Sequence, residues 1–301
     1  MADDDEAAEV RQIWSALDLP GVIDVHTHFM PKSVMDKVWR YFDSAGPLVG
    51  REWPINYRTA ESERVQMLRQ FGVRRFTALV YPHKPDMAAW LNQWALQFSR
   101  STPDCLATAT FYPEPSAGGY VEAAIHAGTQ VFKSHIQVGR YEPNDPLLDQ
   151  VWGAIEDARL PVVIHCGSGP APGEHTGPEP IRLLLQRYPR LRLIIAHMGM
   201  PEYQDFLDIC DDWSDVRLDT TMAFTPFVDE LMPFPSSQLH RLRDLADRIL
   251  FGSDFPNIPH GYADAMRSAM RVPGIDDAWL RGVFYENAAA LFYPTGVLAG
   301  P

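Results

Sequence analysis

The chain has 301 residues, a formal net charge of −13 and a hydrophobic content of 46%. That length exceeds one ordinary domain but suits a single α/β barrel, and the apolar content can fill a large core, which excludes a disordered chain. An acidic surface repels phosphate backbones and no run of Lys or Arg reverses it, so no nucleic-acid partner is expected.

In chain order, residues 1–20 read as an N-terminal extension, either a capping helix or a frayed tail, ahead of one domain over 21–301. The first strand is expected at Val22–His26. A long loop over 29–59 follows, and then a helix at Ala60–Phe71 that stops at Gly72, a residue suited to the left-handed position after a helix. Strand Arg75–Tyr81 precedes helix Asp86–Arg100, where Met87, Trp90, Leu91, Trp94 and Phe98 recur at helical spacing and Asp86 suits the N-terminus. Strands Cys105–Phe111 and Gln130–Ile136 come next. Helix Asp145–Ala158, strand Pro161–His165, helix Glu179–Tyr188, strand Leu191–His197, helix Pro201–Cys210 and strand Val216–Thr220 continue the alternation. Helix Ser237–Asp247, strand Arg248–Asp254 and helices Tyr262–Met270 and Asp277–Phe292 complete it. Near-continuous apolar runs such as Pro-Val-Val-Ile-His are those of strands buried on both faces, as parallel strands are. Eight strands alternating with helices predict an α/β fold of the (β/α)8 TIM-barrel type.

The sharpest local signal is Val22-Ile23-Asp24-Val25-His26-Thr27-His28. Residues two apart on a strand share a face, so His26 and His28 project together, and neutral imidazole is the commonest protein ligand for zinc-like metals. Taken alone, His-x-His is as readily two polar residues at a strand end. Three later strands end in a similar way, at His165, His197 and Asp254, each after a run that would otherwise be core. In a barrel all strands finish at the face that carries the active site, so four His and one Asp converge there.

These residues resemble the amidohydrolase superfamily, and within it the amidohydrolase-related branch that includes aminocarboxymuconate-semialdehyde decarboxylase. The phrases Ile195-Ala196-His197-Met198-Gly199 and Leu250-Phe251-Gly252-Ser253-Asp254-Phe255-Pro256 are close to that branch's wording. The resemblance implies that His26, His28, His165 and Asp254 are metal ligands. It makes His197 a catalytic histidine beside the metal and gives Asp254 a second role as proton shuttle. One divalent ion is expected, Zn2+ first and Mn2+ as the alternative, because three His and a carboxylate suit several such ions.

Lys133 lies on strand four in Phe132-Lys133-Ser134-His135. Two-metal members of the superfamily carbamylate a strand-four lysine to bridge two ions. The amidohydrolase-related branch commonly carries a Lys-x-His phrase without that role, so Lys133 and His135 are read as substrate-binding residues of a one-metal site. Arg51 and Arg58 in the first loop are candidates to clamp a substrate carboxylate, and Arg140 is weighed in the same way. The glycine-rich stretch 167–173 lacks the lysine and following helix of a phosphate loop.

Three scattered cysteines, Cys105, Cys166 and Cys210, form no Cys-x-x-Cys pair and fit a reducing compartment. The acidic N-terminus is no signal or transit peptide, and the apolar runs fall short of the roughly 18 residues of a membrane span. A cytoplasmic protein with a small-molecule substrate and no membrane partner is expected. A homodimer is consistent with the resemblance. The leading functional expectation is a hydrolase of a small ester, lactone or amide that uses metal-activated water. Its rivals are a metal-dependent non-oxidative decarboxylase of a small carboxylic acid and a metal-free binding protein on the same barrel.

Overall fold

The computed structural model describes residues 4–293. Nine strands occur among them: β1 Val22–Asp24, β2 Val73–Thr77, β3 Cys105–Leu106, β4 Thr108–Thr110, β5 Val131–His135, β6 Pro161–His165, β7 Arg192–Ile195, β8 Arg217–Asp219 and β9 Ile249–Leu250. The strand expected over Cys105–Phe111 is thus two short strands. Helices separate most of the others. The chain forms two compact units, one made of Met1–Phe76 with Asp219–Pro301, the other of Thr77–Leu218.

In the first unit, β1 runs parallel to β2, with Asp24 opposite Phe76. On its other side the segment after β9 continues alongside it: Val25 N donates to Phe251 O, Asp254 N to His26 O and His28 N to Phe255 O, at 3.0, 2.8 and 2.7 Å. Thr220 N donates to Leu250 O at 2.9 Å, which adds the end of β8 to the same array. First and last strands are therefore neighbours here, and this pairing aligns the His-x-His stretch with Ser253-Asp254.

The second unit holds β4 through β7 in one parallel array with the first two residues of β8. Thr110 lies opposite Lys133, His135 opposite His165, Ile164 opposite Ile195, and Ile195 opposite Leu218. All five residues of β6 are buried, as its unbroken apolar run requires.

The N-terminal extension is a helix, Asp4–Ala16, with Asp4, Asp5 and Glu6 in its first turn, where negative charge suits the helix dipole. Val10 and Ile13 are buried, Trp14 Nε1 donates to Phe71 O at 3.0 Å, and Glu9 pairs with Arg267. Gly72 closes helix Glu61–Phe71 at φ 81°, as its position predicts. A Cβ there would also meet the Trp14 ring at 2.8 Å, so the site needs glycine for space as well as conformation.

Several expectations change. The loop over 29–59 contains helices Lys32–Asp43 and Gly46–Val49. Helix Ala88–Ser101 starts later than expected, and Asp86 stands before it at φ 63° with its N–H donating to Glu114. Helix Ala117–His126, between β4 and β5, has a small-residue face that gave no clear period. The helix expected over Ser237–Asp247 is three short turns instead. The last helix is interrupted by a π-helical turn, Gly282–Glu286, after which Asn287 Nδ2 donates to Ala246 O and Ile249 O at 2.7 and 2.8 Å. An extra residue in one turn shifts the helix face, which a 3.6-residue period cannot register.

Candidate metal centre

In the first unit, β1 stops at Asp24, short of the expected His26, and His26 and His28 follow it on either side of Thr27, which bridges to Phe255. Asp254 arrives from the neighbouring segment. One ligand atom from each of His26, His28 and Asp254 lies within 4.8 Å of the other two, and all three residues are buried. His28 Nε2 is 2.9 Å from Asp254 Oδ1, and His26 Nε2 is 3.6 Å from the same oxygen. Two imidazole nitrogens and a carboxylate oxygen thus face a common centre out of water, the donor set that a divalent transition metal takes.

The surroundings sharpen the fit. His26 Nδ1 lies 2.9 Å from Asp219 Oδ2, and Asp219 is wholly buried. A carboxylate only accepts here, so Nδ1 carries the proton and Nε2 keeps its lone pair on the side of Asp254 and His28. Orientation of a ligating histidine by a carboxylate on its other nitrogen is usual at metal sites. Asp219 Oδ1 is held in turn by Thr221 N at 3.1 Å.

Asp254 adopts φ 69°, in the left-handed region that costs a non-glycine residue about 1–3 kcal/mol and that clusters at functional positions. Gly252 allows the close packing behind it: a Cβ at that position would lie 2.1 Å from Thr221 Oγ1 and 2.7 Å from His26 Cβ. Asp24 is wholly buried and accepts from His26 N, Ser253 N, Ser253 Oγ and Tyr262 OH at 3.1, 3.2, 2.6 and 3.0 Å. Burial pushes its carboxyl up to about 7 against those donors.

In the second unit, the rings of His135 and His165 stack at 4.1 Å, and His197 meets His165 edge-on at 4.7 Å. His165 Nε2 is 3.0 Å from Gly169 O. A carbonyl cannot donate, so Nε2 carries the proton and Nδ1 the lone pair. Tyr81 packs on His135 at 4.8 Å, and Lys133 is wholly buried. His197 and Met198 both have positive φ, 56° and 53°, where the chain turns sharply after β7. Of the outlying histidines, His175 pairs with Glu142 at 3.2 Å.

The first-loop arginines engage protein partners. Arg51 lies over the Phe227 ring at 4.1 Å, donating to Phe227 O and Glu230 at 2.8 and 2.9 Å. Arg58 pairs with Asp43 and donates to Trp39 O at 3.0 Å. A third arginine, Arg64, is buried against Phe29 and Trp39, where burial lowers its pKa to about 10. Sequence reasoning did not single out Asp219, Asp24 or Tyr262. Asp24 is a lone acid after two apolar residues of β1, a signal available to it, whereas Asp219 follows Arg217 in a strand of mixed character.

The Amidohydrolase family model matches residues 23–293. The chain belongs to the amidohydrolase family. Among solved structures, this amidohydrolase resembles a TIM-barrel protein of Bordetella bronchiseptica, with 17% identity, 92% of this chain and 100% of that one covered, and a TM-score of 0.74. It also resembles the 5-carboxyvanillate decarboxylase of Novosphingobium aromaticivorans complexed with manganese, with 16% identity, 91% and 96% covered, and a TM-score of 0.59. A third similar structure is a probable 2-pyrone-4,6-dicarboxylic acid hydrolase of Acinetobacter baumannii, with 15% identity, 90% and 99% covered, and a TM-score of 0.59. No curated protein sequence matches the chain. These likenesses show the fold, an α/β barrel of the TIM type with parallel strands, as the alternation of elements predicts. The family is one of enzymes whose members bind a divalent metal, and it includes hydrolases and decarboxylases. Among the described residues no helix is long and apolar enough to cross a membrane.

Proposed function

We propose that this amidohydrolase is a metal-dependent hydrolase of a small carbonyl compound, an ester, lactone or amide. The observation that carries the metal reading is the buried His26–His28–Asp254 triad with Asp219 behind His26. His26, His28 and Asp254 would hold one divalent ion, zinc or manganese, and the family resemblance adds His165 as a further ligand. When bound, the ion supplies a Lewis acid that polarises a carbonyl and makes water acidic near neutral pH.

The protein's own groups divide the remaining work. Asp254 turns its carboxylate oxygen to the centre that the two imidazoles also face, so it can take a proton there and return it to a leaving group. Asp219 keeps His26 in one tautomer throughout. His197 is assigned, from the resemblance, to donate toward the developing oxyanion. Lys133 and His135 are assigned to substrate contact on the same ground. Arg51 and Arg58 are assigned to clamp a substrate carboxylate with the donors that their pairs with Glu230 and Asp43 leave over. The phrase His197-Met198-Gly199-Met200-Pro201-Glu202, which resembles hydrolase relatives, supports hydrolysis over decarboxylation.

The test is a paired assay on metal-loaded protein. Acid release is titrated from a panel of small esters and lactones, amine release is assayed from small amides, and CO2 release is trapped from small aromatic and unsaturated carboxylic acids. Metal-dependent acid or amine release without CO2 supports the proposal. CO2 release with no hydrolysis would make the protein a carboxy-lyase, and full turnover in metal-stripped protein would remove the metal from the account.

A further inference from the structure

Two tyrosines and a glutamate outside every metal-ligand motif form a chain of hydrogen bonds that ends on Asp24: Glu6 comes from the N-terminal helix, Tyr57 from the loop before helix Glu61–Phe71, and Tyr262 from the start of helix Tyr262–Met270. Glu6 accepts from Tyr57 OH at 2.8 and 3.0 Å and from Ala263 N at 3.3 Å. Tyr57 OH in turn accepts from Tyr262 N at 2.6 Å. At its other end Tyr262 donates its hydroxyl to Asp24 Oδ2 at 3.0 Å.

Asp24 is the hub. Its Oδ1 takes the backbone N–H groups of His26 and Ser253, one from each of the two strands that carry ligands, and its Oδ2 takes Ser253 Oγ at 2.6 Å. Ser253 Oγ also accepts from Phe255 N at 3.0 Å, so the hydroxyl bridges the residues on both sides of Asp254. Tyr57 packs its ring on Phe255 at 4.8 Å, against the same turn. The relay therefore fixes the backbone at one histidine and braces the left-handed turn at the carboxylate.

We infer that Tyr262 and Glu6 are positioning residues for the metal ligands, acting through Tyr57, Asp24 and Ser253. This makes the N-terminal helix part of the site's support. The inference rests on the metal reading above. A buried carboxylate with four donors, two of them backbone groups beside ligands, resists the small rotations that would spread His26 and Asp254 apart. Removing one donor loosens that restraint without touching a ligand.

The experiment measures Co2+ binding to metal-free, full-length protein by competition with a chromophoric chelator, together with the visible spectrum of the bound cobalt. The variants are Tyr262→Phe, Asp24→Asn, Glu6→Gln and, as control, Glu9→Gln, which breaks the pair with Arg267 on the same two helices and leaves the relay intact. Tyr262→Phe and Asp24→Asn are expected to weaken Co2+ binding about 10–100-fold and to alter its absorption bands. Glu6→Gln shifts both readouts less, in the same direction, while Glu9→Gln lowers the melting temperature and moves neither. Folded Tyr262→Phe with wild-type affinity and spectrum overturns the inference, as does a Glu9→Gln loss of equal size. If Asp24→Asn does not fold, Tyr262→Phe decides. Wild-type protein that binds no Co2+ overturns the metal reading itself, and the inference falls with it.

Discussion

His26 Nδ1 and Asp219 Oδ2 lie 2.9 Å apart, both residues are fully buried, and this contact settles which nitrogen His26 presents to His28 and Asp254. Replacing Asp219 tests that relationship. Asp219→Ala strands a buried N–H and frees the imidazole to turn, so metal affinity should fall about 10–100-fold. Asp219→Asn retains a weaker acceptor and should fall less. Chelator competition measures both, and equal affinities in all three proteins would refute the orienting role.

The triad itself makes a stronger demand. His26→Ala or Asp254→Ala should leave the protein folded but without stoichiometric metal, and turnover should drop at least about a thousandfold, the scale expected when a group essential to charge stabilisation is lost. Chelation of the wild type should do the same, and readdition of Zn2+ or Mn2+ should restore activity. Elemental analysis alongside the assay checks both. A variant that keeps its ion with undiminished turnover would contradict the assignment.

Gly252 faces Thr221 and His26 with no room for a methyl group. Gly252→Ala must push one of them aside, at about 1–3 kcal/mol by the usual cost of overpacking. Thermal unfolding of metal-free protein should show the lower midpoint. Loss of metal affinity in the same variant would mean that His26 is the side that yields.

A pH effect follows from His260. Burial lowers its pKa below the ordinary 6.5, and its Nε2 is buried with no hydrogen-bond partner among the described residues, while Nδ1 lies 2.9 Å from Gly261 O. Asp264, Asp254 and Glu6 all pull the other way, and burial wins. The folded state therefore prefers neutral imidazole. Below about pH 6.5 the unfolded chain takes up more protons than the native one, and stability falls with falling pH, by at most about 1.4 kcal/mol per pH unit from this group. Metal-free wild type should lose more stability than His260→Asn between pH 7.5 and 5.5. Parallel curves would exclude the effect.

Much of this architecture is legible in the sequence because its signals are local. Largely apolar runs followed by His or Asp mark the parallel strands and the candidate ligands after them, so His26, His28 and Asp254 can be named before any coordinates. Gly72 is readable as a helix stop for the same reason. Asp219 and Asp24 are harder: each is one acid in a short strand, and its meaning depends on a partner almost two hundred residues or more away, 193 for His26–Asp219 and 229 for Asp24–Ser253. Arg51 and Arg58 show the opposite difficulty. Their charge suggests a substrate, and the folded chain adds Glu230 and Asp43 beside them, partners that no local pattern announces. The π-helical turn at Gly282–Glu286 and the broken helix after Ser236 escape any fixed period.

The pairing of the first strand with the last has a kinetic corollary. Contacts of such wide sequence separation carry a large loop-closure cost, so they are expected to form late in folding and to be absent from early compact states. An ion that needs both strands could then bind only the finished protein. It would slow escape from the native state far more than it hastens arrival, giving the loaded protein a longer lifetime under denaturant at an almost unchanged refolding rate.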